Sequence, residues 1–285
     1  MIESTLGKLK VGDGHPVRIM GVINLTPDSF YSGSVKRTDE EVIDLALQME
    51  RDGADIIDLG ARSTAPYKTQ EISTEVERRL LERAVRLVRS KVNIEVSADT
   101  TRLDPARAAI AAGATIINDV YGLRERGGEE VARLISCKDC SLILTAHEIR
   151  PGSLRDPLRR ISDALSESLR KAQFAGIPER KIAIDPGIGF FSDARLSNVE
   201  WNTTVISKLD KLRESFNLPI CIGISRKRFI GKITGGKQPE ERLFGSLGAT
   251  AIAVFKGCNV IRTHDVFATL DVVRVAEAIR RAGNI

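Results

Sequence analysis

Asn24 ends an apolar run at residues 18–23 and is followed closely by Thr26, Pro27, Asp28 and Ser29. An amide side chain therefore stands where a buried strand opens to solvent, beside a hydroxyl-rich turn. The pattern recurs along the chain, where short apolar runs lead into Asp99, Asn118, Asp185, Lys227, Arg262 and His264. These residues divide by chemistry. Asp99, Asn118 and Asp185 offer acceptors and an amide. They suit a flat heterocycle with an amidine-like edge, because a carboxylate accepts paired N–H donors in a fork. Lys227 adds a donor for a ring carbonyl or nitrogen. Arg262 and His264 alternate along one strand end and point to the same side; with Asn24 they form a set for an anion. The Asn24 amide oxygen is also a hard ligand that Mg²⁺ accepts when phosphate and water complete its shell.

The elements that must position these residues follow one repeated beat. Apolar runs lie at 18–23, 55–59, 93–97, 115–117, 141–145, 181–184, 220–223 and 260–263. Between and after them, helical periodicity covers 39–52, 74–90, 105–112, 129–136, 161–175, 201–215, 241–255 and 270–282. Strand–helix alternation implies parallel strands with helical crossovers. Eight such units in a chain of 285 residues predict one domain over 1–285, a single (β/α)8 TIM barrel with its core at about 18–280. An open doubly wound sheet is the alternative, and it needs more asymmetry than the pattern holds. In a barrel the strand C-termini carry the chemistry. Every predicted strand here leads into polar residues, including Gly60–Thr64, His147–Glu148 and Ser225–Arg226. The first and eighth strands are neighbours after closure, so Asn24, Arg262 and His264 should meet.

Composition excludes several classes. The net charge is +5, and its Lys and Arg residues are interleaved with Asp and Glu, as on a solvated helix face and unlike a nucleic-acid-binding stripe. Four cysteines in a chain this long make no disulfide framework. Cys137 and Cys140 form a C-x-x-C with no second pair to complete a zinc set, which reads as helix-end thiols in a reducing compartment. No run reaches the ~20 apolar residues of a membrane span, and the start, Met1–Thr5, lacks signal-peptide regions. A cytoplasmic enzyme of small molecules is expected.

The stretch Gly21-Val22-Ile23-Asn24-Leu25-Thr26-Pro27-Asp28-Ser29 closely resembles the N-terminal signature of the dihydropteroate synthase family. Asp58-Leu59-Gly60 with Ser63-Thr64, Asp99-Thr100-Thr101, Asn118–Gly122, Asp185–Phe190, Ser225-Arg226-Lys227 and Arg262–Asp265 follow in the family's order. The resemblance implies a transferase that condenses 6-hydroxymethyl-7,8-dihydropterin diphosphate with p-aminobenzoate or a related arylamine and releases diphosphate. It implies a pterin pocket of Asp99, Asn118, Asp185 and Lys227. It implies a diphosphate pocket of Asn24, Thr64, Arg262 and His264, with Mg²⁺ at Asn24. Ser29, Phe30, Phe190, Ser225 and Arg226 fall on the arylamine side. Asn24, Asp99, Lys227, Arg262 and His264 are the residues expected to carry catalysis. A homodimer is also implied, with the segments 241–255 and 270–282 as candidate faces.

Two other classes stand beside this one: a pterin-dependent methyltransferase and a non-catalytic pterin-binding paralogue. Arg262 and His264 argue against the first, which has no diphosphate to hold. Some positions depart from the family pattern. In Gly60-Ala61-Arg62-Ser63-Thr64-Ala65-Pro66, Arg62 replaces the usual Glu and Ala65 the usual Arg. Thr145-Ala146-His147 stands where a Met-His pair is usual, and the Lys expected after residue 190 is missing from Phe191-Ser192. Arg62 and Arg150 suit a second, more negatively charged arylamine.

Overall fold

The computed structural model describes residues 2–25, 38–62, 72–147, 156–191 and 196–283. Among these, a short antiparallel hairpin, β1 (Glu3–Leu6) and β2 (Leu9–Gly12), precedes a parallel sheet. The sheet comprises β3 (Arg18–Asn24), β4 (Ile56–Gly60), β5 (Glu95–Asp99), β6 (Ile116–Asp119), β7 (Ser141–Thr145), β8 (Ile182–Asp185), β9 (Cys221–Gly223) and β10 (Val260–Thr263). Its hydrogen-bonded order is β8-β7-β6-β5-β4-β3-β10-β9, and a parallel bridge from Ile184 to Ile220 joins the two ends. The sheet therefore closes into a single (β/α)8 barrel, with the strands at the places where the apolar runs predict them.

The helices are α1 (Asp39–Arg51), α2 (Thr74–Arg89), α3 (Leu103–Ala112), α4 (Gly128–Cys137), α5 (Pro157–Phe174), α6 (Asn198–Ser207), α7 (Leu209–Phe216), α8 (Arg228–Ile233), α9 (Leu243–Phe255) and α10 (Val266–Ala282). Their starts are written in the sequence. Thr38 caps α1 and Ser197 caps α6, each in a reciprocal box with a Glu three residues on. Their inward faces are apolar: Leu81, Val85 and Val88 of α2 are fully buried against the barrel. One expected helix is two, because 201–215 breaks at Lys208, where φ is −119° and ψ 24°. Among the described residues no helix is long and apolar enough to cross a membrane.

The hairpin was not foreseen, and it decides which end of the barrel can hold a site. Leu6 and Val11 pack into an inner cluster with Met20, Ile56, Ile116, Ile143, Ala183, Cys221 and Val260, one residue from each of seven strands. The eighth strand, β5, contributes Glu95, which accepts from the Lys8 N–H at 3.2 Å and the Thr115 hydroxyl at 2.5 Å. Ser141 ties the turn further, donating to the Thr5 carbonyl and accepting from the Gly7 N–H. Gly7 is required there: its φ is +60° and a Cβ would meet Glu95 Oε2 at 2.3 Å. The strand N-termini are thus plugged by apolar side chains and sealed by polar ones, which leaves the opposite end to hold a site.

Candidate active site

Strand side chains alternate with a period of two. One step above the inner apolar cluster, the same phase therefore places Val22, Asp58, Asn118, Asp185 and Arg262 inside the barrel, and a second step places Asn24 and His264. Register sets their neighbours: Asp58 pairs with Val22 and Ser97, Asp99 with Gly60 and Asn118, and Arg262 with Gly223 and with Met20 of the inner cluster, the stagger of a tilted barrel.

The guanidinium of Arg262 organises the floor of the mouth. Its Nε donates to Asp58 Oδ2 at 2.6 Å and its Nη2 to Asp99 Oδ2 at 2.7 Å. Asn118 Nδ2 donates to the same Asp58 oxygen at 3.1 Å. Asp58, Asp99 and Asn118 are all buried. Burial drives the Asp99 titration upward, and the neighbouring Asp58 adds to this, while Arg262 opposes both. Asp58 Oδ1 is buried and receives no hydrogen bond from the described residues. Arg262 was expected to join only the diphosphate group. Its side chain instead couples that group to the carboxylates of the ring-binding group.

Across the mouth stand Asp185 and Lys227. Asp185 Oδ1 accepts from the Gly187 N–H at 2.7 Å, and burial pushes its carboxyl up to about 6. Gly187 has φ +71°, and a Cβ there would meet the Ala146 carbonyl oxygen at 2.2 Å, so only glycine makes this turn. Burial pushes the Lys227 ammonium down to about 8, with Asp185 acting against the shift. Its Nζ lies 4.8 Å from the centre of the Phe190 ring, a cation–π contact. Phe190 is half-buried at the rim, whereas Phe191 turns inward and stacks on Trp201 with ring centres 5.1 Å apart.

His264 Nδ1 and the Ser225 hydroxyl share a hydrogen bond at 3.0 Å. Burial pushes the imidazole down to about 4, and the charge of Arg262 adds to this. At neutral pH the ring is therefore uncharged, and what it can offer an anion is a ring N–H. Arg226 requires a larger correction. Its side chain grips Asp265 in a fork, Nε to Oδ2 at 2.9 Å and Nη2 to Oδ1 at 2.7 Å. Its Nη1 donates to the Pro239 and Glu240 carbonyls. The backbone of Arg226 turns with φ +56°, and the buried side chain fastens loops together instead of lining the arylamine side.

Arg62 also finds its own counter-charge. Both terminal nitrogens meet Glu125, at 3.0 and 2.9 Å, and Nη2 donates to the Thr101 hydroxyl at 2.6 Å. A guanidinium neutralised in this way does not call for an extra negative group on a substrate. Thr64, Ser29, Phe30 and Arg150 lie outside the described residues, and Asn24 is half-buried at the tip of β3. The residue that sequence reasoning passed over is Asp58. The available signal was a lone carboxylate in the middle of the buried run Ile56-Ile57-Asp58-Leu59.

The profile of the pterin binding enzyme family matches residues 20–264. The dihydropteroate synthase of Streptococcus pyogenes serotype M3 is 35% identical over 258 residues, covering 90% of this chain and 93% of that one. The Escherichia coli K12 dihydropteroate synthase is 33% identical over 270 residues, covering 93% and 92%. Among solved structures, Xanthomonas albilineans dihydropteroate synthase with 4-aminobenzoic acid superposes with a TM-score of 0.85 at 32% identity, covering 98% of both chains. The Coxiella burnetii dihydropteroate synthase in complex with pteroic acid gives 0.85 at 30% identity, covering 98% of this chain and 99% of that one.

Proposed function

The chain belongs to the pterin-binding enzyme family, among the dihydropteroate synthases, transferases of folate biosynthesis, and from that premise we propose how its own residues divide the work. The reaction joins the amine of p-aminobenzoate to the exocyclic methylene of 6-hydroxymethyl-7,8-dihydropterin diphosphate. A C–N bond forms, the C–O bond to diphosphate breaks, diphosphate leaves with the electron pair, and the amine sheds a proton.

The observation that carries this division is the floor of the barrel mouth, in which Arg262 bridges the buried Asp58 and Asp99. With Asp185 it presents more acceptors than the protein itself satisfies, and a pterin brings the matching edge of N–H donors. Asn118 and Lys227 supply the amide and the donor that fix the ring's orientation. Positive charge developing on the methylene is eased by Asp99 and Asp185, so no covalent nucleophile is needed. Leaving-group charge falls to the upper layer, where His264 donates an N–H and Arg262 lends its field. Phe190 offers the arylamine a flat face beside Lys227.

Mg²⁺ fits this layer in a limited way. Among the described residues no three His, Cys, Asp or Glu side chains gather into a cage. Asn24 would contribute one amide oxygen, with diphosphate and water completing the shell. When bound, the ion would neutralise charge on the departing diphosphate. The apolar outer face of α9 and α10, with Phe244 81%, Phe267 68% and Val275 60% exposed, supports a homodimer formed there. Four free thiols agree with a reducing, cytoplasmic setting.

The test is a mixing experiment. Purified protein with the dihydropterin diphosphate, p-aminobenzoate and Mg²⁺ should release diphosphate and form a product whose mass is that of dihydropteroate. Diphosphate release that does not depend on the arylamine, or no release at all, would overturn the proposal.

A further inference from the structure

We propose that Tyr121, held in place by the Arg62–Glu125 ion pair, is a positioning residue that sets the affinity for the arylamine; this rests on the synthase reading above. The geometry is a continuous band along the rim of the barrel mouth. The Arg62 guanidinium is clamped by Glu125 through two hydrogen bonds, at 3.0 and 2.9 Å. Thr101 fastens both partners, accepting from Arg62 and donating to Glu125. That fixed plane lies over Tyr121, with its central carbon 5.3 Å from the ring centre. Tyr121 meets His147 edge to face, with centres 4.3 Å apart and planes at 76°. His147 leans on Phe190 at 5.7 Å, and Phe190 lies under Lys227. The backbone of His147 is pinned separately, its carbonyl accepting from Arg124 at 2.7 Å.

Each link in this band is rigid. A planar ring has two side-chain torsions and a clamped guanidinium retains little freedom, so a shift of Tyr121 is passed to His147 and then to Phe190. Phe190 is the flat face proposed for the arylamine. A platform ordered before binding saves the second substrate the entropy of ordering it. Arginine at position 62 is also the one choice that both forks onto Glu125 and stacks on Tyr121. Lysine keeps the charge and loses both geometries. Lys227 is the pterin-pocket residue that meets the band, at Phe190, and the Arg62 charge is felt at Asp99, so Tyr121→Ala, which leaves both cations in place, is the variant that should touch one substrate and spare the other.

Steady-state kinetics in p-aminobenzoate, with calorimetric titration of the dihydropterin diphosphate alone, test this. Tyr121→Ala and Arg62→Ala should each raise KM for p-aminobenzoate about tenfold, and Tyr121→Ala should keep kcat and pterin affinity within about twofold of the parent. Tyr121→Phe should match the parent, and Arg62→Lys should fall between, at about threefold. An unchanged arylamine KM in Tyr121→Ala would overturn the role. So would an equal loss of pterin affinity, or a Tyr121→Phe variant as impaired as the alanine. If an alanine variant fails to fold, the Arg62→Lys and Tyr121→Phe pair decides: no difference in KM between them overturns it. Diphosphate release by the parent enzyme is measured alongside, so a failed positioning role is distinguishable from a failed synthase reading.

Discussion

Replacing Asp58 by Asn should weaken pterin binding far more than it weakens the fold. The side chain is fully buried, and its Oδ2 accepts from Arg262 at 2.6 Å and from Asn118 at 3.1 Å. Asn keeps the shape and one oxygen but removes the charge. Within the protein the change is partly self-correcting: Arg262 retains Asp99 at 2.7 Å, and Asp99 loses a like-charged neighbour. A hydrogen bond to a charged group contributes about 1.5–3 kcal/mol, and relief of the Asp58–Asp99 repulsion offsets part of it. A residue of roughly 1–2 kcal/mol corresponds to a fall in Tm of about 2–8 °C for a domain of this size. Binding has no such compensation. Asp58 Oδ1 meets no donor among the described residues, so a ring N–H arriving there fills an unmet buried acceptor. Losing that charged contact should raise Kd for the dihydropterin diphosphate by roughly tenfold to 150-fold. Calorimetric titration and thermal unfolding of the same preparation read both quantities. A Kd within twofold of the parent, with Tm lowered, would mean that Asp58 is only a counter-ion for Arg262, and the reasoning would fail.

Activity should follow a bell against pH. The Asp99 and Asp185 carboxyls, raised by burial to about 7 and about 6, lose their charge below those values, and the Lys227 ammonium, lowered by burial to about 8, loses its proton above it. Hence kcat/KM for the pterin substrate should fall on both sides of that window, while His264, already neutral above about 4, adds no limb within it. Lys227→Arg should remove the alkaline limb, because a guanidinium stays protonated; a limb that persists in that variant refutes the assignment. Gly7→Ala forces a side chain into Glu95 at a left-handed backbone position and should cost about 1–3 kcal/mol, read as a lower Tm with kcat unchanged in the folded enzyme; an unaltered Tm would show that the hairpin is not seated as described. Phe255→Asp with Ile279→Asp, at positions 51% and 57% exposed on the α9–α10 face, should convert a dimer to a monomer in sedimentation velocity, and a parent that already sediments as a monomer would dismiss that interface.

The barrel was legible because its two periods are local. Strand runs and amphipathic helices can be read within a dozen residues, and the closed strand order follows from their alternation. The features that stayed hidden are those set by distance or by short segments. β1 and β2 are four residues each, with Leu6 and Val11 buried in the inner core and Leu9 packed against it, so neither makes an apolar run that stands out. The break between α6 and α7 at Lys208 does not interrupt the apolar period, since Val205, Leu209 and Leu212 continue it. Asp58 and its partner Arg262 are 204 residues apart, and only barrel closure reveals that they pair. Arg226 misled because a charged residue at a strand end was counted as part of the rim, while its left-handed backbone turns the guanidinium to Asp265.

The largest revision concerns how charge is shared. Sequence reasoning set Asp99, Asn118, Asp185 and Lys227 apart for the ring and Asn24, Thr64, Arg262 and His264 apart for diphosphate. In the structure Arg262 already spends two of its N–H groups on Asp58 and Asp99, and His264 is neutral. Asp58 and Asp185 offset Arg262 and Lys227, and Asp99, whose ionisation burial opposes, leaves this floor acidic by a fraction of a charge. That excess favours an electron-poor ring rich in N–H donors and opposes a diphosphate set deep in the mouth. On the proposed function the two halves of the substrate would therefore be sorted by depth: the ring would descend to the carboxylates, and the phosphates would stay in the upper layer with Asn24 and His264. On the proposed function, a diphosphate meeting so little positive charge at that level would arrive with its own divalent cation, and Asn24 would be the amide to meet it.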